Sequence, residues 1–566
     1  MLRGCFVKVF ELDEYIRNWY SNVDNVDKKA FWVFFICMNV VFLYNSVFCL
    51  FGNEDIIVMF EKQSPFYAYF VGRYGVSLLE YFIANKTIIP MFINIILFSF
   101  LSLTTVLTLN WFKLKKNLFN FLLAGLFILL PPTIYPILWY RSVCFGILMT
   151  MFFTIISFFI CQKIIDTENK KKKLLYFSIS LFLLTSFVFG SYHPVIGCVF
   201  GLLFSRIFID YIDSSFLGIK NIFFKYRYVF LSLFASIGID YLVFLILKIN
   251  GLIDNVYYPC ANLIKFSEFY NYIFPFLTRT LHSFFVDTFP YVGLFYKVFL
   301  WLILLVSVIS VFVLQKKKNR NIKGQLFSIF YIVFFYLLLF YIFNILYFLS
   351  PVFYTKQHLF RLEYWTTTYF IFVCIVFALK YSNIFLKNIS FCLVTVLIFL
   401  GIQINMHVQK DQMIGQQIEL SRVMTLKNLI LRNKNYEHSD SIKYLFVQIG
   451  NIKSSGVIET YNSNEFNNAY VPEMISTFQT DRAFHLPLVV VPPKITNINP
   501  YASTVVNIFS QLEKYLDNNL IDWLLNEARP YPSPNCVFID KGKIYVVMDQ
   551  KFLSAIKARL LDQQKI

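Results

Sequence analysis

Residues 52–75, GNEDIIVMFEKQSPFYAYFVGRYG, set adjacent carboxylates at Glu54 and Asp55 ahead of an arginine, Arg73, directly after a long apolar run. A carboxylate held beside a membrane-embedded surface can serve as general base toward a hydroxyl brought to the interface. A guanidinium on the same surface can pair with a phosphate in bidentate fashion. Asn53 is a good N-cap, which puts Glu54 and Asp55 in the first turn of a short helix ended by Pro65. Helix-dipole complementarity would account for the acids alone. It does not account for Arg73 or for Tyr67, Tyr69, Phe70 and Tyr74, an aromatic set suited to the headgroup level.

Three further stretches carry polar groups of the same kind. GSYHP, residues 190–194, offers Tyr192 for a sugar hydroxyl or for interfacial anchoring, with His193 in a tight turn before Pro194. The segment 249–297 scatters Asp254, Tyr258, Arg279 and His282 among aromatics, a composition that suits saccharides as well as ordinary interfacial structure. FYTKQHLFRLEYW, residues 353–365, brings His358 and Arg361 together, and Arg361 is the best second phosphate ligand in the chain. No Walker loop, nucleotide fingerprint, GxSxG or zinc motif is present, so no metal-ligand set is assigned. The ten cysteines have no CxxC or Cys/His spacing, which argues against a disulfide framework.

These residues need elements to hold them, and the composition says which. Of 566 residues, 58% are hydrophobic, 20% aromatic and only 15% charged, the balance of a polytopic membrane protein. The net charge of +18 is no nucleic-acid signature, because the lysines sit in short clusters between apolar runs. Segments able to cross roughly 30 Å of hydrocarbon number about eleven: 31–51, 88–110, 118–136, 142–162, 174–190, 195–211, 228–248, 298–314, 325–349, 365–380 and 389–406. Alternate connections (1–30, 111–117, 163–173, 212–227, 315–324 and 380–388) hold 23 Lys and Arg; the longer opposite set holds 9. The positive-inside rule then puts the N-terminus in the cytoplasm and everything after the eleventh span outside. The first thirty residues carry acids and no cleavage pattern, so the first span is read as a signal anchor.

The expected architecture is therefore mainly α: a cytoplasmic segment 1–30, a membrane bundle 31–406 with an external first loop 52–87, and an external α+β domain 407–566. Within that domain the pattern predicts a helix over QQIELSRVMTLKNLILRN, strands at KYLFVQIG and PLVVV, a helix near 502–527, and a hairpin at CVFIDKGKIYVVMD.

The order of an acid pair after the first span, GRYG, SYHP, HLFRLEYW and the terminal PYPSPNCVFIDKGKIYVVMD resembles the Gtr-type serotype-converting O-antigen glucosyltransferases. These are bacterial inner-membrane enzymes, similar to the GT-C class of polytopic glycosyltransferases. The resemblance implies transfer of a glucosyl residue from a polyprenyl-phosphate sugar to a lipid-linked O-antigen or lipopolysaccharide acceptor on the periplasmic side. A flippase and a polyprenyl-phosphate glucosyltransferase of the same pathway would be its companions. Its first-loop acid maps to Glu54 or Asp55, with Asp55 favoured. The chain departs from the pattern in having Glu-Asp, GRY in place of GRW, and His193 where relatives tend to have glutamine. A divalent cation such as Mg or Mn is compatible but not required, since a monophosphate carries less charge than a nucleotide diphosphate. The alternatives are a flippase for a lipid-linked saccharide and an O-antigen polymerase or ligase. The former needs a polar path through the bilayer, whereas charged residues within the expected spans are scarce, and the latter usually gathers arginines in a large outer loop, whereas segment 249–297 holds only Arg279.

Overall fold

A computed structural model describes residues 23–43, 46, 90–134, 141–191, 195–213, 219–250, 269–282, 284, 294–318, 322–345, 364–437, 445–449, 504–506 and 509–564. The protein is mainly helical and divides into two compact units, with the boundary between His407 and Val408.

The first unit is a bundle of long apolar helices. In chain order they are α1 (Asn25–Val41), α2 (Pro90–Trp111), α3 (Leu118–Leu129), α4 (Arg141–Asp166), α5 (Lys170–Leu183), α6 (Ile196–Asp213), α7 (Ile219–Ile249), α8 (Phe269–His282), α9 (Leu294–Lys318), α10 (Ile322–Phe343), α11 (Tyr369–Tyr381) and α12 (Ile384–Arg432), of which the part after His407 belongs to the second unit. Among the described residues, seven apolar stretches are long enough to cross a membrane: 94–111, 146–166, 170–189, 224–249, 294–314, 364–381 and 384–407. Each of the eleven segments expected from hydropathy overlaps a described helix, and seven of those helices are long and apolar enough to cross a membrane. Leu118–Leu129 and Phe330–Phe343 are apolar but shorter. Helix α6 carries Arg206, Asp210 and Asp213 near its end.

Polar residues punctuate the bundle. Asp24, Asn117 and Asn169 each accept a backbone N–H in the first turn of the helix that follows, which satisfies donors the helix cannot pair itself. Helix α11 is at the centre, with every residue from Tyr369 to Leu379 buried. Helices α5, α7, α9 and α12 instead leave outward apolar side chains such as Leu174, Phe234, Leu305 and Phe399 exposed, a surface suited to lipid.

Two close approaches set the packing. A Cβ on Gly197 would fall 2.2 Å from the Phe343 carbonyl oxygen, so α6 and the end of α10 meet at backbone distance. A Cβ on Gly401 would lie 2.4 Å from the Leu130 carbonyl oxygen. One turn on, Asn405 Nδ2 donates to Leu130 O (3.1 Å) and Pro131 O (3.2 Å), the two carbonyls just past the end of α3. Because both obstacles are backbone, Gly401→Ala must push α12 off α3. The expected cost is about 1–3 kcal/mol, read as a lower thermal midpoint of the detergent-solubilised protein.

The C-terminal unit contains a four-stranded sheet in the order β2-β1-β4-β3: β1 (Leu445–Ile449), β2 (Thr504–Val506), β3 (Val537–Asp540) and β4 (Lys543–Val547). Strand β1 runs parallel to both β2 and β4, while β3 and β4 form an antiparallel hairpin. Its turn residues Lys541 (φ 45°) and Gly542 (φ 73°) both have positive φ, the requirement of a tight hairpin matched to strand twist. Helices α13 (Asn518–Asn526) and α14 (Gln550–Gln564) cover the sheet. Val447, Ile449, Leu520, Leu524, Val547, Ile556 and Leu560 make the core. The helix expected over 502–527 is instead β2, a short helical turn at Phe509–Leu512, and α13. The β-branched Thr504-Val505-Val506 run favours strand, and Asp517 starts a new helix.

Asp517 Oδ1 accepts the Leu520 N–H at 2.9 Å, and Lys541 Nζ lies 3.1 Å from Oδ2. The Leu520 N–H first, and Lys541 with it, hold the Asp517 carboxyl below the usual carboxylate range. A depressed acid contributes stability above its unfolded pKa of about 3.9 and loses that contribution as pH falls through the folded value. Asp517→Asn keeps a good N-cap but cannot titrate. Protection of the 518–526 backbone amides against hydrogen exchange, relative to their intrinsic rates at each pH, is therefore expected to fall below pH ~4 in the wild type, and the Asn variant should lack that acid-dependent step.

Candidate functional site

The two ends of the helical unit differ in chemistry. At one end, four of the lysine-rich connections are tied together. Lys116 Nζ lies 2.6 Å from Asp27 Oδ2 and 3.6 Å from Asp24 Oδ2, and Asn110 Nδ2 donates to Asp27, joining the start of α1 to the end of α2. Lys113 Nζ is 3.1 Å from Asp210 Oδ1, and the Arg206 guanidinium donates to the Trp111 carbonyl, joining α2 to α6. Lys225 Nζ (2.5 Å) and the Tyr226 hydroxyl (2.8 Å) reach Asp210 Oδ2 from the start of α7. Lys380 Nζ is 3.1 Å from Asp213 Oδ2 and the Tyr381 hydroxyl donates to the same side chain, adding the end of α11. Loops 1–30, 111–117, 212–227 and 380–388, grouped in the sequence by charge, thus share one end in space.

The opposite ends of the same helices meet through neutral polar groups. Asn94 Nδ2 donates to Ser46 Oγ at 2.8 Å, and the Thr133 and Thr368 hydroxyls share a hydrogen bond of 2.9 Å. The Tyr364 hydroxyl donates to Ile128 O at 3.2 Å. Thr366, Thr367, Asn344 and Ser191 are buried here as well. Two π-helical segments, Leu184–Phe189 and Tyr364–Thr368, lie at this end. Widened turns of this kind recur at functional sites because they aim backbone and side chains away from the regular helical ladder. The first leads into GSYHP and the second follows directly on HLFRLE.

Glu54, Asp55, Arg73, Tyr74, Tyr192, His193, Tyr258, His358 and Arg361 all lie outside the described residues. The described elements next in sequence to them are the ends just set out: α2 follows the first loop, the 184–189 turn and α6 flank Tyr192 and His193, α7 and α8 flank Tyr258, and α10 and the 364–368 turn flank His358 and Arg361. Among the described residues no group of three or more His, Cys, Asp or Glu could hold a metal ion.

Hydropathy alone did not single out the charged residues inside the helices. Arg206 and Asp210 are buried on α6, and Asp240 is buried on α7. The Arg206–Asp210 spacing of four, which pairs side chains on one helix face, was the available signal. Asp240 follows Ser232 and Ser236 on the same face of α7. Ser232 contacts the Cys161 thiol at 3.5 Å and Ser236 donates to Leu181 O at 3.5 Å, so this stripe faces α4 and α5.

No family model, curated protein or solved structure matches the chain. Fold and geometry define a mainly helical protein with seven helices long and apolar enough to cross a membrane, one ionic and one neutral polar end to its bundle, and a small α/β C-terminal unit.

Proposed function

We propose that the protein is a bacterial inner-membrane glycosyltransferase that moves a glucosyl or other hexosyl residue from a polyprenyl-phosphate sugar to lipid-linked O-antigen on the periplasmic face. The observation that supports this most is the joining of four basic connections at one end of the bundle. With the basic loops joined at one end, the first loop, GSYHP, 251–268 and 346–363 all belong to connections of the opposite parity. Under the positive-inside rule that opposite face is the outer one.

The chemistry follows from the donor. A sugar on a monophosphate lipid is already activated, so the acceptor hydroxyl needs a base and the departing phosphate needs cations. Asp55 or Glu54 takes the hydroxyl proton as its oxygen attacks the anomeric carbon. Arg73 and Arg361 neutralise the charge that develops on the phosphate as the anomeric C–O bond breaks. Tyr74, Tyr192, His193, Tyr258 and His358 supply aromatic faces and hydrogen bonds to the sugars. Displacement in one step inverts the anomeric centre.

A flippase is the second reading, and buried Asp240 is the observation in its favour, since intramembrane carboxylates often mark polar paths. Two experiments separate them. Expression in a strain bearing O-antigen is expected to add one hexose to the repeat by mass, and the addition should vanish when polyprenyl-phosphate-hexose synthesis is deleted. Unmodified repeats in the complete strain would contradict the transferase reading.

A further inference from the structure

The ionic end has more cation than its own acids can neutralise, and the surplus is arranged around one carboxylate. Asp210 receives Lys113 on Oδ1 and Lys225 on Oδ2, while Arg206 Nη2 sits 3.4 Å from Oδ1. Three positive groups therefore share one negative one. Arg206 is committed inward: its Nε donates to the Tyr226 hydroxyl at 3.1 Å, a further N–H goes to the Trp111 carbonyl, and its side chain is 4% exposed. The two lysines are not, since their side chains are 50% and 45% exposed. Each ammonium has three N–H donors, and Asp210 takes only part of that capacity. Two half-exposed ammoniums fixed side by side therefore keep donors turned outward that a second anion can accept.

Two more features give this pair the character of a site. Lys113 lies just past the end of α2 with φ 52°, where glycine would be most at home and a long side chain gains nothing from the backbone. What the lysine adds is its ammonium, delivered to Asp210. Beside Lys225, the Arg227 guanidinium stacks 3.7 Å from the centre of the Phe224 ring, and Phe224 is exposed on the apolar flank of α7. The surplus charge thus lies where the apolar surface of the bundle gives way to its basic loops, the depth at which lipid phosphates are found.

We infer that Lys113 and Lys225, held on opposite oxygens of Asp210, form a binding site for a phosphate group, supplied by an anionic lipid headgroup or by free phosphate. The site lies at the ionic end of the bundle and does not depend on the proposed function.

The test uses the full-length protein in neutral detergent, with phosphatidylglycerol, diacylglycerol as a phosphate-free control, or inorganic phosphate added separately. Thermal midpoint and native-mass adducts are the readouts. For the wild type, phosphatidylglycerol is expected to raise the midpoint and remain bound, with diacylglycerol inert. Lys113→Gly suits the left-handed turn, so it should fold with an unchanged midpoint in the absence of anion and bind phosphatidylglycerol at least tenfold more weakly. Lys225→Met should weaken binding to a similar extent. Protection by phosphatidylglycerol alone identifies a lipid site, and equal protection by inorganic phosphate identifies a free-anion site. If neither anion moves the wild-type midpoint, or if Lys113→Gly and wild type respond alike, the inference is overturned.

Discussion

Asp55→Asn and Glu54→Gln, made separately, are expected to leave the protein inserted and abundant while at least one of them lowers hexosyl transfer by about 10²- to 10⁴-fold, the usual contribution of a positioned general base. Each replacement keeps size and hydrogen-bonding shape and removes only the capacity to accept a proton. Both acids follow Asn53 and both fall in one turn of the expected short helix, so the pair separates catalysis from helix-dipole effects. Loss of a favourable charge at a helix start would cost roughly 0.3–1 kcal/mol and affect the two variants alike. A catalytic loss confined to one variant identifies the base. Full transfer by both would remove the first loop from the mechanism. Arg73→Lys adds a graded comparison, since lysine keeps the charge but not the bidentate fork, and a loss smaller than that of Arg73→Met is expected.

The second large effect is structural. Arg206→Met should destabilise the helical unit by about 3–5 kcal/mol, the range for breaking a buried ion pair from one side. The guanidinium serves the end of α2 through Trp111 O, the start of α7 through Tyr226 and its own helix through Asp210. Removing it strands polar groups on three elements at once. Asp210→Leu should be comparably damaging, because Arg206, Lys113 and Lys225 then face one another without an anion. The double variant should be less harmful than the sum of the two, since groups that share a network do not add independently. Thermal unfolding of all four proteins in one detergent measures the coupling. Strict additivity would mean that the pair does not act as a unit.

The positions of the helices were largely legible because a bilayer-spanning segment needs about 20 apolar residues, and phenylalanine- and leucine-rich runs of that length are hard to miss. Boundaries were less so. Helix α1 begins at Asn25, six residues ahead of the apolar run, because Asp24 caps it and Asp27 is held by Lys116. Helix α12 continues from Ile384 to Arg432, through what hydropathy separates into a span and a polar helix. No proline interrupts it, and helical propensity is indifferent to the change of polarity. In the C-terminal unit, the Lys541-Gly542 hairpin is a local signal and was readable. The parallel pairing of β1 with β2 and β4 joins segments far apart in sequence and leaves no local trace.

The candidate site was legible only as types of residue and the parity of their loops. Glu54, Asp55, Arg73, Tyr192, His193 and Arg361 could be nominated because carboxylates, guanidiniums and aromatics are scarce in so apolar a chain. Their mutual distances are not encoded in spacing along the sequence. The charge count did anticipate one three-dimensional relation, since lysines grouped as one-sided by position are joined by Asp27, Asp210 and Asp213 at one end of the bundle. The two π-helical turns beside GSYHP and HLFRLE carried no sequence signal, as their widened backbone arises from packing rather than composition.

The most direct measurement of the central claim is hexosyl transfer by the purified full-length protein in lipid, supplied with a polyprenyl-phosphate hexose and a lipopolysaccharide acceptor and read by the mass of the product. Addition of one hexose with inverted anomeric configuration, and no requirement for a nucleotide sugar, is expected. Unmodified acceptor with intact donor, from protein that remains folded and correctly inserted, would contradict it.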